Sequence, residues 1–180
     1  GFYGLRTSIP ELRGPNSSIK IGNIIIDGSN SYGYRQKDYT NLTPPGGGGT
    51  GFEYYNLMST IDGGNGKITV NGKNNVGIAI FQGKTSGDPI SNFQNINIDV
   101  NGTENIGFLR GAPDNGYANS TAITLDSTKL GTFQFGSNTT KSSLIASEAN
   151  EVKLDKDITV GSIGKQNTLL QAGKTGTVRL

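Results

Sequence analysis

Ile68-Thr69-Val70-Asn71-Gly72-Lys73-Asn74-Asn75-Val76-Gly77-Ile78 follows a pattern that the chain uses three times, with further copies at residues 24–34 and 98–108. The pattern is apolar, any residue, apolar, Asp or Asn, Gly, three polar residues, apolar, Gly, apolar. Short segments with alternating apolar residues are typical of strands, and the Asp-Gly or Asn-Gly pair between them supplies the positive φ of a tight turn. Each copy therefore predicts two short strands joined by a turn.

The spacing of the copies indicates how these strands pair. Their turn glycines are Gly28, Gly72 and Gly102, and we expect more degenerate copies at 133–138 and 158–162. Repetition at 20–50 residues is the signature of a solenoid, in which each repeat stacks on its neighbours. The sequence thus predicts an all-β parallel β-helix, or β-solenoid, with irregular loop insertions, and residues 1–180 as a single segment of it. Residues 143–152 are the segment whose composition is most compatible with a helix, and there we expect a turn or one short helical turn.

Composition excludes several functional classes. The chain has 28 Gly among 180 residues, 32% apolar residues and 17% charged residues, which predicts a turn-rich protein with a thin core. Sixteen basic and fourteen acidic residues are spread along the chain, so we expect no nucleic-acid partner. The absence of both Cys and His excludes disulfides, thiolate metal sites and Ser-His-Asp triads. We expect no cofactor and no metal.

The polar turn residues allow two interpretations. Three sets align between copies: Asp27 with Asn71 and Asn101, Asn30 with Asn74 and Glu104, and Ser31 with Asn75 and Asn105. Stacked amides one strand apart form hydrogen-bonded ladders. An ion site is the alternative, but calcium sites use several carboxylates and the first set has only one. We therefore favour ladders or simple turns.

The largest insertion lies at residues 35–59 and contains Pro44-Pro45 followed by four Gly, a composition typical of a loop. It also holds the densest aromatic region of the chain. Either these rings pad the stack, or they form a recognition surface together with the nearby basic residues. On the second interpretation the ligand-binding residues are Arg35, Lys37, Tyr39, Phe52, Tyr54 and Tyr55.

Acidic residues are the only candidate catalytic groups in this sequence, because β-helical polysaccharide hydrolases and lyases use pairs of them. Asp99, Asp114 and Asp126 are available, as are Arg110 and Arg179. Nothing in the sequence selects a pair among them. We therefore expect no catalytic residue and no enzymatic activity.

The template at Ile68 to Ile78, with its copy at 98–108, resembles the passenger repeats of very large type V autotransporters, especially the RadD-like fusobacterial surface adhesins. The resemblance covers residues 20–110 most clearly. It implies a right-handed parallel β-helix passenger at the bacterial cell surface, carried by a C-terminal outer-membrane barrel outside this sequence and flanked by further repeats of its own chain. No binding residue is carried over, since the resemblance lies in the scaffold.

These observations predict a non-enzymatic, extracellular adhesin segment that presents a binding surface. The partners expected from the resemblance are a host glycan, a host receptor protein or a neighbouring bacterium. Two alternatives stay open: a β-helical polysaccharide-active enzyme or phage tailspike fragment, and a purely structural stalk.

Overall fold

The computed structural model of the chain describes residues 17–37, 59–81, 92–111, 123–125, 130–154, 163–164 and 166–179. All regular structure in these ranges is β-strand, consistent with the predicted all-β class. The strands are β1 (Ser17–Lys20), β2 (Ile24–Ile26), β3 (Tyr32–Lys37), β4 (Ser59–Asp62), β5 (Lys67–Val70), β6 (Val76–Phe81), β7 (Asn92–Gln94), β8 (Asn97–Val100), β9 (Ile106–Arg110), β10 (Ile123–Leu125), β11 (Phe133–Phe135), β12 (Ser143–Leu154) and β13 (Thr168–Arg179).

The strands form three parallel sheets. Sheet I contains β1, β4 and β7; sheet II contains β2, β5, β8 and β11; sheet III contains β3, β6, β9 and β12, with β10 and β13 also paired to β12. The first nine strands enter sheets I, II and III in that order three times. Each of the three template copies therefore contributes one strand to sheet II and the next strand to sheet III.

The predicted right-handed parallel β-helix is wrong, because the described strands belong to three separate parallel sheets and not to one continuous coil. Beyond β9 the order of the sheets is lost: β12 and β13 are consecutive described strands, yet they pair with each other in sheet III. The template fixes how equivalent strands of successive copies pair. It does not constrain the segments between copies, whose lengths vary, so nothing in the sequence holds the chain to a regular coil.

The strand register predicted from the template is confirmed. In sheet II, Ile68 pairs with Ile24 and with Ile98, and Val70 pairs with Ile26 and with Val100. In sheet III, Tyr32, Val76 and Ile106 are in register. Because side chains alternate between the two faces of a strand, this register directs the apolar positions of sheet II into one core, where Ile68, Val70, Ile98 and Val100 are almost fully buried.

The core lies between the inner faces of the sheets. Ile61 and Phe93 come from sheet I, and Ile78, Phe108 and Ile145 come from sheet III. Phe93 and Phe108 meet edge to face with their ring centroids 5.4 Å apart, a favourable arrangement for aromatic pairs. Tyr34 is buried in the same core, and this burial raises its pKa to about 12.

The last template glycine is required by close packing of successive strands. A Cβ at Gly77 would lie 2.6 Å from the Gly107 carbonyl oxygen, and one at Gly107 would lie 2.6 Å from the Leu144 carbonyl oxygen. Gly33 has the same relation to Gly77. The column of glycines allows the chain to turn from sheet II into sheet III where no side chain fits.

A polar column, buried at its three central residues and half-buried at its ends, runs through the turns between sheets II and III. It consists of Ser31, Asn75, Asn105, Ser142 and Asn167. Each member's backbone N–H donates to a side-chain oxygen of the next: Ser31 to Asn75 Oδ1 at 2.8 Å, Asn75 to Asn105 Oδ1 at 2.7 Å, Asn105 to Ser142 Oγ at 3.0 Å and Ser142 to Asn167 Oδ1 at 3.0 Å. The predicted ladder is therefore confirmed at this position.

The side-chain amides of the polar column also close the turns. Asn75 Nδ2 donates to the Gly28 and Asn71 carbonyl oxygens, both at 2.7 Å. Asn105 Nδ2 donates to the Asn101 and Gly72 carbonyl oxygens. Buried backbone groups must be hydrogen-bonded to avoid a large desolvation cost. The fully buried asparagines thus bond the carbonyls of their own turn, Asn71 and Asn101, and add a second donor to the Gly28 and Gly72 carbonyls, which also accept backbone N–H groups from Lys73 and Thr103.

The outer turn position forms a second ladder rather than an ion site. Asn71 Nδ2 donates to Asp27 Oδ1 at 2.7 Å, and Asn101 Nδ2 donates to Asn71 Oδ1 at 3.0 Å. The ladder ends at Gly136, where a Cβ would collide with Asn101 Oδ1. The amide hydrogens occupy the directions that a cation would need, so the ladder interpretation is confirmed here too.

One detail of the sequence alignment is wrong. Phe135 pairs with Val100, so Gly136 stands in the column of Asn101 and not with the turn glycine. The turn after that lies at 163–167, because Asn167 Nδ2 donates to the Ile163 carbonyl oxygen at 2.8 Å, as Asn75 does to Asn71. The predicted copy at 158–162 lies outside the described residues.

Candidate functional site

The outer face of sheet III carries a second apolar cluster, separate from the core. Ala79, Leu109 and Ala146 are in register on β6, β9 and β12, and Val76 and Ile106 pack against them together with Tyr32. Ala79, Leu109 and Ala146 are buried, whereas Tyr32, Val76 and Ile106 are half-buried. These half-buried residues, which recur in all three template copies, mark this part of sheet III as the candidate functional surface.

A cleft of about 230 Å³ opens on this face. It spans the turns before β3 and β6 and the strands β9 and β12. Its lining combines an apolar floor, a tyrosine, two exposed amides and one carboxylate: Asn30, Ser31, Tyr32, Asn74, Val76, Ile106, Leu109 and Glu148. Apolar walls with a few convergent polar groups are the usual composition of a small-molecule site.

The two amides at the rim are held by backbone conformation. Asn30 and Asn74 have φ of 54° and 56°, a left-handed region that Asn adopts more readily than most residues. Asn74 Nδ2 donates to Asn30 Oδ1 at 2.6 Å. This bond leaves the Asn30 Nδ2 and the Asn74 Oδ1 without a partner among the described residues. The pair therefore leaves one amide donor and one amide acceptor at the rim.

Glu148 lies opposite an irregularity in sheet III. Ser147 pairs with Ala172 and Ala149 pairs with Thr175, so β13 has one residue more than β12 at this point, and such bulges are often next to a site. Glu148 is half-buried. In the part of the chain that the structure describes, lysine–carboxylate pairs join Lys67 to Asp99 and Lys73 to Glu104, and no cation is paired with Glu148.

The predicted ligand-binding residues fall into two groups. Arg35 and Lys37 belong to β3, and Arg35 is in register with Ala79 of the outer apolar cluster. Tyr39, Phe52, Tyr54 and Tyr55 lie outside the described residues. The structure thus places the backbone of Arg35 on the sheet that carries the cleft, and the role of all six residues stays a prediction.

The predicted insertion at 35–59 begins and ends within strands. Residues 35–37 are the end of β3, and Ser59 opens β4. Residues 38–58 lie outside the described residues. Because β3, β6 and β9 run parallel in one sheet, the segments that follow them all leave from the same end of sheet III.

The two catalytic candidates whose side chains the structure describes, Asp99 and Arg110, lie on different sheets. Asp99 projects from sheet II, where its carboxylate pairs with Lys67 Nζ at 2.8 Å and accepts from Gln134 Nε2 at 2.7 Å. Arg110 is fully buried in β9; its Nη1 donates to the Ile80 carbonyl oxygen at 3.1 Å, and burial lowers its pKa to about 10. Asp114 and Asp126 lie outside the described residues, and Arg179 is placed by backbone alone, at the end of β13.

Metal sites and membrane-spanning helices can be assessed in the described ranges. Within them, no three His, Cys, Asp or Glu side chains are grouped closely enough to hold a metal ion. The same ranges include no helix of the length and hydropathy that a membrane span requires. The cleft therefore remains the candidate site of the described part of the chain.

Two parts of this site were not predicted correctly from the sequence: the segment that carries Glu148 and the position of Tyr32. Residues 143–152 were expected to form a turn or one helical turn, which is wrong because they belong to the 12-residue strand β12. Strand periodicity would have placed Ala146 and Glu148 on one face. The apolar template position occupied by Tyr32, Val76 and Ile106 predicts a third column of the core, which is wrong because these three residues pack on the outer cluster.

Comparison with protein-family models, with curated proteins and with solved structures found no match for this chain. The functional argument therefore rests on the chain's own residues.

Proposed function

We propose that this chain is a non-enzymatic segment of a bacterial cell-surface adhesin, which presents the outer face of sheet III to a glycan or to a receptor. The single observation that carries the proposal is the cleft, in which an apolar floor is combined with unpaired amide groups and a carboxylate. Sugar rings offer both apolar faces and hydroxyl groups, and such a lining complements both.

The surface location and the partners rest on the resemblance of the template to autotransporter passenger repeats. On this proposal the chain acts outside the cell, at the outer membrane, and its partner is a host glycan, a host receptor or a neighbouring bacterium. A glycan is favoured because the cleft, at about 230 Å³, is smaller than the roughly 300–1,000 Å³ of sites for drug-sized ligands. It fits one sugar ring.

A substitution that fills the cleft tests the proposal. Ile106→Lys places a long side chain with an ammonium group over the floor, next to Glu148, so we expect glycan binding to weaken at least about tenfold. The measurement is binding of the 180-residue chain to an immobilised glycan panel, with the melting temperature recorded for each variant. Thr69→Lys is the matched control, since Thr69 is also half-buried but lies on sheet II.

Two further measurements in the same assay separate the alternatives. Reducing sugar or unsaturated product released from the bound glycans would identify a polysaccharide-active enzyme instead. Deletion of residues 38–50, which include Tyr39, tests whether the insertion contributes to glycan binding as predicted. If the wild-type chain binds no glycan, or if Ile106→Lys binds as well as Thr69→Lys, the cleft is not the adhesive site.

A further inference from the structure

We propose that the cleft recognises a hexosamine with a free amino group, and that Glu148 is the counter-ion of its ammonium. This inference rests on the proposed glycan-binding function and specifies its ligand. It assigns Glu148 a role in specificity, since the carboxylate distinguishes an amino sugar from its neutral counterpart.

The charge of the lining is the first argument. Glu148 is the only ionisable group with a formal charge at neutral pH among the eight lining residues, all of which the structure describes. Its carboxylate is half-buried, and no described cation pairs with it. A partly desolvated carboxylate without a counter-ion favours a cationic ligand.

The position of Glu148 is the second argument. Glu148 lies opposite the extra residue of β13, between the pairs Ser147–Ala172 and Ala149–Thr175. The neighbouring outward position, Ala146, is almost fully buried in the apolar cluster. The carboxylate is therefore at the edge of an apolar surface, where a charge-assisted hydrogen bond is stronger than in open water.

The rest of the lining favours a sugar ring over a lysine side chain. The Asn30 Nδ2 and the Asn74 Oδ1 lack partners among the described residues, so the rim offers a donor and an acceptor to vicinal hydroxyl groups. A lysine side chain has no hydroxyl to satisfy them. Val76 and Ile106 are left to contact the apolar face of the ring.

The test is the affinity of the 180-residue chain for glucosamine, glucose and N-acetylglucosamine, measured by ligand-observed NMR titration at neutral pH. Glucosamine should bind about tenfold more tightly than glucose, since a hydrogen bond to a charged group is worth about that factor. N-acetylglucosamine, which has no ammonium group, should behave like glucose. Glu148→Gln should reduce the preference for glucosamine to about twofold or less while leaving glucose binding unchanged.

Asp27→Asn is the matched control, because it removes one exposed carboxylate outside the cleft and installs the residue found at the same template position in the next two copies, Asn71 and Asn101. It should leave the preference for glucosamine unchanged. Equal binding of glucosamine and glucose would overturn the inference and leave the proposed function intact. Failure of all three sugars to bind would overturn the inference, and the proposed function is then decided by the glycan panel. Binding of Nα-acetyl-lysine amide as tightly as glucosamine would overturn the sugar assignment in favour of a protein ligand.

Discussion

Asn105→Leu should destabilise the protein by about 3 kcal/mol, because two backbone groups of the turns lose their side-chain hydrogen-bond partner at about 1–3 kcal/mol each and such losses are not fully additive. The groups are the Asn75 N–H and the Asn101 carbonyl oxygen, whereas the Gly72 carbonyl oxygen keeps the bond that it accepts from the Thr103 N–H. Leu has the same branched set of side-chain heavy atoms as Asn and leaves no cavity, so the cost arises mainly from unsatisfied polar groups. Such a loss is a large fraction of the total stability of a typical domain.

Chemical denaturation of the 180-residue chain measures this cost. Asn71→Ala is the matched control, because it removes an amide from the exposed ladder of the same turns, where water replaces the lost bonds. The control should cost about 1 kcal/mol or less. If the two variants lose the same stability, the polar column does not hold the turns together.

Val70→Asp is expected to cost about 3–5 kcal/mol, because it buries a charge that has no partner. Val70 is fully buried between Ile26 and Val100 in sheet II. Burial disfavours the charged form and raises the pKa of the new carboxyl. The cost should therefore be greatest above this raised pKa and should shrink as the pH falls through it. Denaturation midpoints measured at neutral and acidic pH test both the size and the sign.

Ile25→Asp is the matched control for Val70→Asp. Ile25 lies on the neighbouring strand β2 but is 64% exposed, so the same charge there should change stability by less than about 1 kcal/mol. A one-residue error in register would exchange the faces of a strand. Equal costs for the two variants would therefore contradict the assignment of strand faces in sheet II.

The pairing of strands was predictable from sequence because the template repeats its apolar positions without gaps. Ile24, Ile68 and Ile98 could be aligned by pattern alone, and parallel pairing followed from the equivalence of the copies. The positive φ of the turn glycine was also predictable at Gly72 and Gly102. The structure adds a second left-handed position in each turn, occupied even by Glu104, which residue preference alone does not indicate.

The arrangement of the sheets was not predictable in the same way. Periodicity within a copy specifies which strands pair, whereas the path between copies depends on segments of unequal length and irregular composition. The degenerate copy at 133–138 failed for a related reason. At Gly136 the glycine is required by the neighbouring Asn101 side chain and not by the turn, so alignment on glycine placed this copy one residue away from its register.

The candidate site was only partly accessible from sequence. Arg35 was selected by its proximity to aromatic residues, and the structure places it in register with the outer apolar cluster. Glu148 carries no motif. Its relevance depends on a register shift between β12 and β13 and on a cleft formed with residues from three other strands and their turns, none of which a single sequence pattern encodes.

The central claim is that template copies stack in parallel through hydrogen bonds from each turn to the next asparagine side chain. NMR scalar coupling across hydrogen bonds tests it most directly in the isotope-labelled chain. We expect the Ser31 amide nitrogen to couple to the Asn75 side-chain carbonyl carbon, and the Asn75 amide nitrogen to couple to that of Asn105. Coupling of these two amides to backbone carbonyl carbons instead would contradict the account.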